Sequence, residues 1–101
     1  MNTSPTLETR TGCIAGAMEI IGQKWTALIL RDLASDECRF AELERSISGL
    51  NPRTLSKRLE DLAEHGIVER CPSSTSYRLT QKGRDLVPVL EAMSAWGNKY
   101  S

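Results

Sequence analysis

Basic and hydroxyl side chains are concentrated on one stretch, Asn51 to Gly66, that also has the pattern of a helix. Leu55, Leu59 and Leu62 follow a helical repeat and predict a stripe that faces a core. Four basic residues and no acid lie between Glu44 and Glu60, although the chain as a whole is neutral. A helix fixed by leucines that offers basic and hydroxyl groups from its first turns is typical of a surface that binds a polyanion.

Both ends of this predicted helix carry residues that favour helix termini. Asn51 is suited to cap the first turn with its side-chain oxygen, and Pro52 follows at a position where a missing N–H costs nothing. Gly66 is suited to the left-handed conformation that ends many helices. The sequence therefore predicts a complete helix within residues 51–66, of the kind that recognises DNA.

Two kinds of DNA contact are expected from this helix. Side chains in its first turns reach base edges in the major groove, whereas others contact phosphates and position the protein without reading the sequence. The predicted base contacts are Arg53, Thr54 and Lys57. The predicted phosphate contacts are Ser56 and Arg58, with Asn51 mainly a cap at a helix end that favours a nearby phosphate.

The segments around this helix predict a winged helix-turn-helix. A short helix over residues 41–47 is joined to it by Ser48-Gly49-Leu50, which is the helix-turn-helix pattern. Alternating apolar and polar residues on both sides of a Pro/Ser turn predict a β-hairpin over residues 67–79, the wing. The segments before the helix-turn-helix are predicted to form two helices, starting near Cys13 and Lys24, and a very short strand at residues 38–40. The expected fold is mainly α with a small hairpin, in the order α-α-(β)-α-α-β-β-α.

The predicted wing is short, and hydroxyl groups dominate its turn. Hydroxyls and basic side chains are common phosphate ligands in protein–DNA complexes. The expected phosphate contacts of the wing are Ser73, Ser74 and Thr75, with Arg70 and Arg78 at its base.

The last predicted helix, from Gln81 to near Tyr100, carries more apolar surface than one small core requires. Thr80 is expected to cap it, and Pro88 is expected to bend or break it. Apolar surface that the core does not use indicates a binding partner. A second copy of the chain is the expected partner, because a homodimer supplies two copies of the DNA-binding helix. The predicted interface residues come from the first and last helices: Ile14, Met18, Ile21, Val89, Leu90, Met93, Trp96 and Tyr100.

Length and composition are those of one ordinary globular domain of 101 residues, with 40% hydrophobic and 26% charged residues. Residues 1–11 are expected to form a flexible arm and residues 12–101 the domain. No apolar run is long enough for a membrane span, and the polar N-terminus lacks a signal-peptide core, so a cytoplasmic location is expected. Three widely spaced cysteines fit reduced thiols better than a disulfide framework.

Three segments together resemble a known family. They are IGQKWTALILRDL at residues 21–33, RFAELERSISGLNPRTLSKRLEDLAEHGIVER at 39–70 and YRLTQKGRDLVPVLEAMSAWG at 77–97, with Cys13 opening the first helix. The chain is similar to the HxlR-type transcriptional regulators, relatives of the MarR group. The resemblance implies a homodimer formed by the first and last helices, binding to inverted-repeat operators, and in some members a sensing cysteine at the position of Cys13. Ile14 stands where the family commonly has proline after this cysteine.

Cys13 allows two interpretations. A free cysteine is often a small buried residue, but a helix N-terminus lowers the pKa of a thiol, as a sensor of oxidants or electrophiles requires. Cys38 and Cys71 carry less weight as reactive groups. No Cys-x₂-Cys pair is present and His65 is the single histidine, so neither a metal site nor a cofactor is expected.

Three functional classes compete for this sequence. A sequence-specific, homodimeric DNA-binding regulator accounts for the basic helix, the wing and the terminal apolar stripe. A winged-helix module that binds proteins is the alternative, because the net charge is zero. An enzyme is not expected, since the sequence offers no Ser/His/Asp set and no phosphate-binding glycine loop.

Overall fold

The computed structural model describes the backbone of residues 7–101 and the side chains of residues 14–101. The elements are, in order, α1 (Leu7–Ile21), α2 (Thr26–Ser35), β1 (Cys38–Arg39), α3 (Phe40–Ser46), α4 (Pro52–Glu64), β2 (Val68–Arg70), β3 (Ser76–Leu79), α5 (Gln81–Arg84) and α6 (Val87–Tyr100). This order confirms a winged helix-turn-helix, with the last predicted helix divided in two. Within the described residues, no helix combines the length and hydropathy that crossing a membrane would need.

Helix α4 has the termini that its sequence predicts. The side-chain oxygen of Asn51 accepts a hydrogen bond of 2.8 Å from the backbone N–H of Thr54, and Pro52 is the first helical residue. Gly66, two residues past the helix, adopts a left-handed φ of +72° and turns the chain into β2. The predicted apolar stripe is buried, and it consists of Leu55, Leu59 and Leu62. Its burial determines which face of α4 stays accessible.

Helix α2 lies at the centre of the core. It contacts α1, α3, β3 and α6, and its Ile29, Leu30 and Leu33 are buried. Leu43 of α3 and Leu55 of α4 are fully buried in the same cluster. Because closely packed interiors resist deformation, this shared core holds the two helices of the helix-turn-helix in a fixed relation.

The three strands form one antiparallel sheet in the order β1-β3-β2. Strands β2 and β3 are the predicted hairpin, with Glu69 opposite Arg78. The predicted short strand is β1, and it pairs with the other edge of β3, where Cys38 lies opposite Tyr77. The wing is therefore anchored to the segment between α2 and α3, a connection that the sequence pattern did not indicate.

The predicted C-terminal helix is broken between Arg84 and Val87. The Thr80 hydroxyl caps α5 by accepting a hydrogen bond of 3.1 Å from the backbone N–H of Gly83. Pro88 lies in the first turn of α6, where the missing N–H of proline costs least. The sequence predicts that Pro88 either bends the helix or marks a break in it, and the break lies just before Pro88, at residues 85–86.

Two helices begin elsewhere than expected. Helix α1 begins at Leu7 rather than near Cys13, so Cys13 lies within the helix and the N-terminal position expected to lower the pKa of its thiol is not found. Residues 1–6 lie outside the described residues, so the flexible arm expected over residues 1–11 stays a prediction there. Helix α2 begins at Thr26 rather than Lys24, because Trp25 has a left-handed φ of +80° that cannot continue a right-handed helix.

Candidate nucleic-acid interface

The exposed face of α4 centres on Arg53 and Lys57. At 3.6 residues per turn, Lys57 lies about 40° around the helix axis from Arg53. Arg53, Ser56 and Lys57 are exposed and Thr54 is half-buried. Since the leucine stripe holds the other side of α4 in the core, these side chains are presented together on a rigid element.

Arg53 is the most available cation of this face. It is the second residue of α4 and is exposed. None of the ion pairs found among the described residues includes its guanidinium. A ligand anion that binds Arg53 would therefore not have to displace a carboxylate.

Lys57 has a partner on its own helix. Its Nζ lies 3.2 Å from a carboxylate oxygen of Asp61, one turn further along, and its side chain is 61% exposed. Hydrogen bonding to Asp61, together with the negative charge of that carboxylate, raises the pKa of Lys57. Exposed pairs of this kind contribute little and are screened by salt, so Lys57 can exchange Asp61 for a phosphate or a base.

Arg58 faces a different direction from Arg53. Helical geometry separates the two by about 140° around the axis. The Arg58 side chain is only 20% exposed, and one of its terminal nitrogens lies 4.0 Å from Asp61. Its Nε–H donates a hydrogen bond of 3.1 Å to the backbone carbonyl of Lys24, which precedes α2. The Arg58 side chain is therefore engaged within the protein, and the phosphate contact expected of it stays a prediction.

The wing turn is partly tied to the rest of the protein. The hydroxyls of Ser74 and Ser76 lie 2.7 Å apart, and the Ser76 hydroxyl also donates a hydrogen bond to the carboxylate of Glu37. Ser74 is half-buried, whereas Ser73 and Thr75 are exposed. Of the three predicted hydroxyl contacts, Ser73 and Thr75 are thus accessible to a phosphate, and Ser74 chiefly stabilises the turn.

The two arginines at the base of the wing differ in their surroundings. The Nε–H of Arg78 donates a hydrogen bond of 2.7 Å to the Glu69 carboxylate across the hairpin, which raises the pKa of Arg78. Arg70 lies over the ring of Tyr77, with 5.9 Å between the guanidinium carbon and the ring centroid. Arg70 is therefore the stronger candidate for a phosphate, since Glu69 partly neutralises Arg78. The cross-strand register of a hairpin would have been the sequence signal for this pair.

The cysteines that the structure describes do not favour reactivity. Burial raises the pKa of the Cys38 thiol, and the carboxylates of Glu42, Asp32 and Asp36 add to the rise. A thiol with a raised pKa forms less of the nucleophilic thiolate. Cys71 is buried at 5% exposure. The side chain of Cys13, the predicted sensing residue, lies outside the described side chains.

An exposed apolar face runs along the terminal helices. On α6, Trp96 is 68% exposed and its ring centroid lies 5.3 Å from that of Tyr100. The other exposed apolar side chains of the predicted interface are Ile14, Met18, Val89 and Met93. Beside this face, a groove of about 540 Å³ opens between α2 and α6.

Two residues of the predicted interface are less exposed than the others, because they contact the chain's own core. Ile21 is only 7% exposed and lies in the main hydrophobic cluster. Leu90 is partly buried and packs against the same cluster. The apolar surplus expected at Ile21 is therefore absent, because the end of α1 turns towards α2. The remaining six predicted interface residues are exposed.

These elements define a class: a mainly helical winged helix-turn-helix protein whose α4 presents basic side chains to solvent. The chain belongs to the HxlR-like helix-turn-helix family, whose model matches residues 20–101. The family expected from the sequence motifs is thereby confirmed.

Relatives and solved structures agree with this membership. An uncharacterized HTH-type transcriptional regulator of Mycobacterium tuberculosis is 39% identical over 92 residues, which cover 86% of this chain and 58% of the relative. The chain therefore spans less than two thirds of the length of that curated relative. The quinone-bound structure of YodB from B. subtilis has a TM-score of 0.78 and 32% identity, covering 86% of this chain and 96% of YodB. The redox regulator HypR in its oxidized form has a TM-score of 0.80 and 28% identity, covering 87% of this chain and 96% of HypR.

Proposed function

We propose that the protein is a sequence-specific DNA-binding transcriptional regulator that acts as a homodimer on an inverted-repeat operator. The observation that carries the proposal is the placement of α4. Its leucine stripe is buried, its N-terminus is capped by Asn51, and Arg53 and Lys57 stand on its accessible face. A rigid helix with unburied cations in its first turns is the usual reader of the major groove.

The proposed contacts divide between bases and phosphates. Arg53, Thr54 and Lys57 are assigned to base edges, because they occupy the first two turns of α4. The accessible phosphate ligands are Ser56 of α4 and Arg70, Ser73 and Thr75 of the wing. Such contacts provide affinity and register, whereas the base contacts provide specificity.

The homodimer is supported by the uncovered apolar face of the terminal helices. Trp96, Met93 and Met18 are all about half exposed or more. A patch of exposed apolar side chains usually marks an interface. Two-fold symmetry would supply a second α4, and binding to an inverted repeat requires the two copies to lie about 34 Å apart, one turn of DNA.

Sensing of oxidants or electrophiles through Cys13 is the further part of the proposal. It is supported by the similarity to YodB, solved with bound quinone, and to the redox regulator HypR. Cys38 and Cys71 provide internal controls, because burial disfavours reaction at both. Treatment with a quinone followed by mass mapping is expected to label Cys13 first, and labelling confined to Cys38 and Cys71 would remove Cys13 as the sensor.

Selection from a pool of random DNA duplexes tests the main proposal. The protein is expected to enrich an inverted repeat, and enrichment is expected to weaken steeply as salt rises, because bound phosphates release counterions. Enrichment of a single unrepeated half-site would contradict the dimer. No enrichment at low salt would contradict DNA binding and favour a protein-binding role for the winged helix.

A further inference from the structure

We infer that Arg58 is a positioning residue: its Nε–H holds α4 against the turn between α1 and α2, and the residue does not bind a DNA phosphate. This turn comprises residues 22–25. The inference rests on the proposed binding of DNA through α4. It adds a residue that sets the orientation of α4 without touching the DNA.

The contacts of Arg58 point into the protein. Its Nε–H donates to the Lys24 carbonyl at 3.1 Å, and a terminal nitrogen lies 4.0 Å from Asp61. Its side chain also lines a crevice of about 120 Å³ together with Gln23 and Thr26, residues at and just after the turn. The side chain of the preceding residue, Lys57, is 61% exposed, whereas the side chain of Arg58 is 20% exposed. Two adjacent cations therefore have opposite placements, one towards solvent and one towards the body of the domain.

The turn that Arg58 contacts is itself well fixed. Trp25 holds a left-handed φ of +80°, a conformation that a bulky residue adopts only where its surroundings impose it. The Trp25 ring comes within 3.4 Å of the point where a Cβ on Gly49 would lie. Gly49 belongs to the connection between α3 and α4. The same turn thus contacts α4 through Lys24 and the connection before α4 through Trp25.

The consequence concerns the angle at which α4 meets DNA. The buried leucines fix α4 against the core along one stripe, so the freedom that they restrain least is rotation about that stripe. A hydrogen bond from the flank of the helix to a fixed turn opposes that rotation. Base contacts depend on placement to within a fraction of an ångström, so a small rotation reduces specific binding more than non-specific binding.

Two substitutions separate the hydrogen bond from the charge. In Arg58→Gln, the side-chain amide nitrogen is bonded to Cδ, as Nε is in arginine, so a donor remains near the Lys24 carbonyl while the positive charge is lost. In Arg58→Lys, the charge remains but a methylene replaces Nε. The readouts are affinity for the enriched duplex, affinity for an unrelated duplex, and the dependence of both on salt concentration.

A positioning role predicts that Arg58→Lys weakens binding to the enriched duplex about fivefold for each hydrogen bond removed, while its salt dependence stays that of the parent. Arg58→Gln is expected to bind the enriched duplex within about twofold of the parent, because one hydrogen-bond donor is retained near the carbonyl. A merely structural role would lower stability but leave the ratio of specific to non-specific affinity of the folded protein unchanged. Urea unfolding of both variants supplies that comparison.

The opposite pattern would overturn the inference. If Arg58→Lys matches the parent while Arg58→Gln binds less tightly, with a log–log salt slope reduced by about 0.9 for each phosphate released, Arg58 binds a phosphate. Equal behaviour of the two variants, whether tight or weak, would also refute a role for the Nε donor. If Arg58→Lys fails to fold, the salt slope of Arg58→Gln still decides. Failure of the parent to bind any duplex would instead refute the proposed function. Failure of the inference about Arg58 and failure of the proposed DNA binding are therefore distinguishable.

Discussion

Replacing Arg53 by alanine is the sharpest test of the proposed base-reading face. The residue is exposed in the first turn of α4, and no ion pair among the described residues includes it. The substitution should therefore leave folding almost unchanged, within about 0.5 kcal/mol as for other surface positions. Any decrease in affinity can then be attributed to the interaction with DNA.

The magnitude follows from the symmetry of the proposed complex. A bidentate contact between arginine and guanine is worth about 1–3 kcal/mol. A homodimer makes the contact once in each half-site, so the loss on a symmetric operator is about 2–6 kcal/mol, or about 30-fold to 20,000-fold in affinity. Binding to an unrelated duplex should fall much less, because base contacts contribute little there.

The assay is a titration of the enriched duplex, followed by fluorescence anisotropy, with a repeat of the selection to see which base position relaxes. Arg31→Ala is the matched control, since Arg31 is 60% exposed on α2 and the same charge is removed away from α4. It should bind DNA like the parent. If Arg53→Ala binds the operator as tightly as the parent, α4 is not the base-reading helix.

Four further predictions use the same protein. Lys57→Gln should weaken binding to the enriched duplex by about 1–3 kcal/mol in each half-site and leave the log–log salt slope nearly unchanged, because Lys57 is assigned to a base edge; a slope reduced by about 0.9 for each copy of the lysine would instead make a phosphate its ligand. Asn51→Ala should lower the free energy of unfolding by about 0.5–2 kcal/mol in a urea titration, because α4 loses its cap. Asn51→Asp should retain most of the stability of the parent, because aspartate also caps helices. Equal stability of Asn51→Ala and the parent would show that the cap contributes nothing. Gly83→Ala should destabilise by about 1–3 kcal/mol, because its Cβ would overlap the carbonyl oxygen of Ile67 and the backbone must shift. A melting temperature equal to that of the parent would contradict the close approach. Trp96→Ser should shift the protein towards monomers in analytical ultracentrifugation, because Trp96 is 68% exposed within the proposed interface. A dimer of unchanged stability would show that the interface does not include Trp96.

Helix α4 could be predicted from the sequence because its determinants are local. The cap at Asn51, the proline after it and the glycine at position 66 all lie within one turn of the helix ends. The leucine repeat identified the buried face without knowledge of what covers it. Pro88 likewise marked the break before α6, since the restriction is a property of proline itself.

The roles of Arg58 and Arg78 could not be assigned in this way because each depends on a partner outside its own helix or strand. Arg58 contacts the carbonyl of a residue 34 positions earlier, and helical position alone placed it beside the exposed face. Arg78 is paired with Glu69 only because of the register of the hairpin. Tertiary contacts therefore give Arg58 and Arg78 partners within the protein that the sequence did not indicate, while Arg53 and Lys57 stay accessible.

Ile21 illustrates the same limit for apolar residues. Its helical spacing matches that of Ile14 and Met18, so the sequence placed all three on one outward face. In the fold, Ile21 is buried in the core, whereas Ile14 is 55% exposed and Met18 is 48% exposed. Which residues of α1 are buried depends on where α2 crosses α1. The repeat of apolar residues along α1 alone carries no information about that crossing.

The central claim is that the accessible face of α4 and the wing meet DNA while the terminal helices meet a second copy. The most direct measurement is an NMR titration of the isotopically labelled protein with the enriched duplex, following each backbone amide. The account predicts the largest shifts in residues 51–57 and 73–75, with little change along α6. Shifts concentrated on α6 and the groove beside α2, with α4 unaffected, would contradict it.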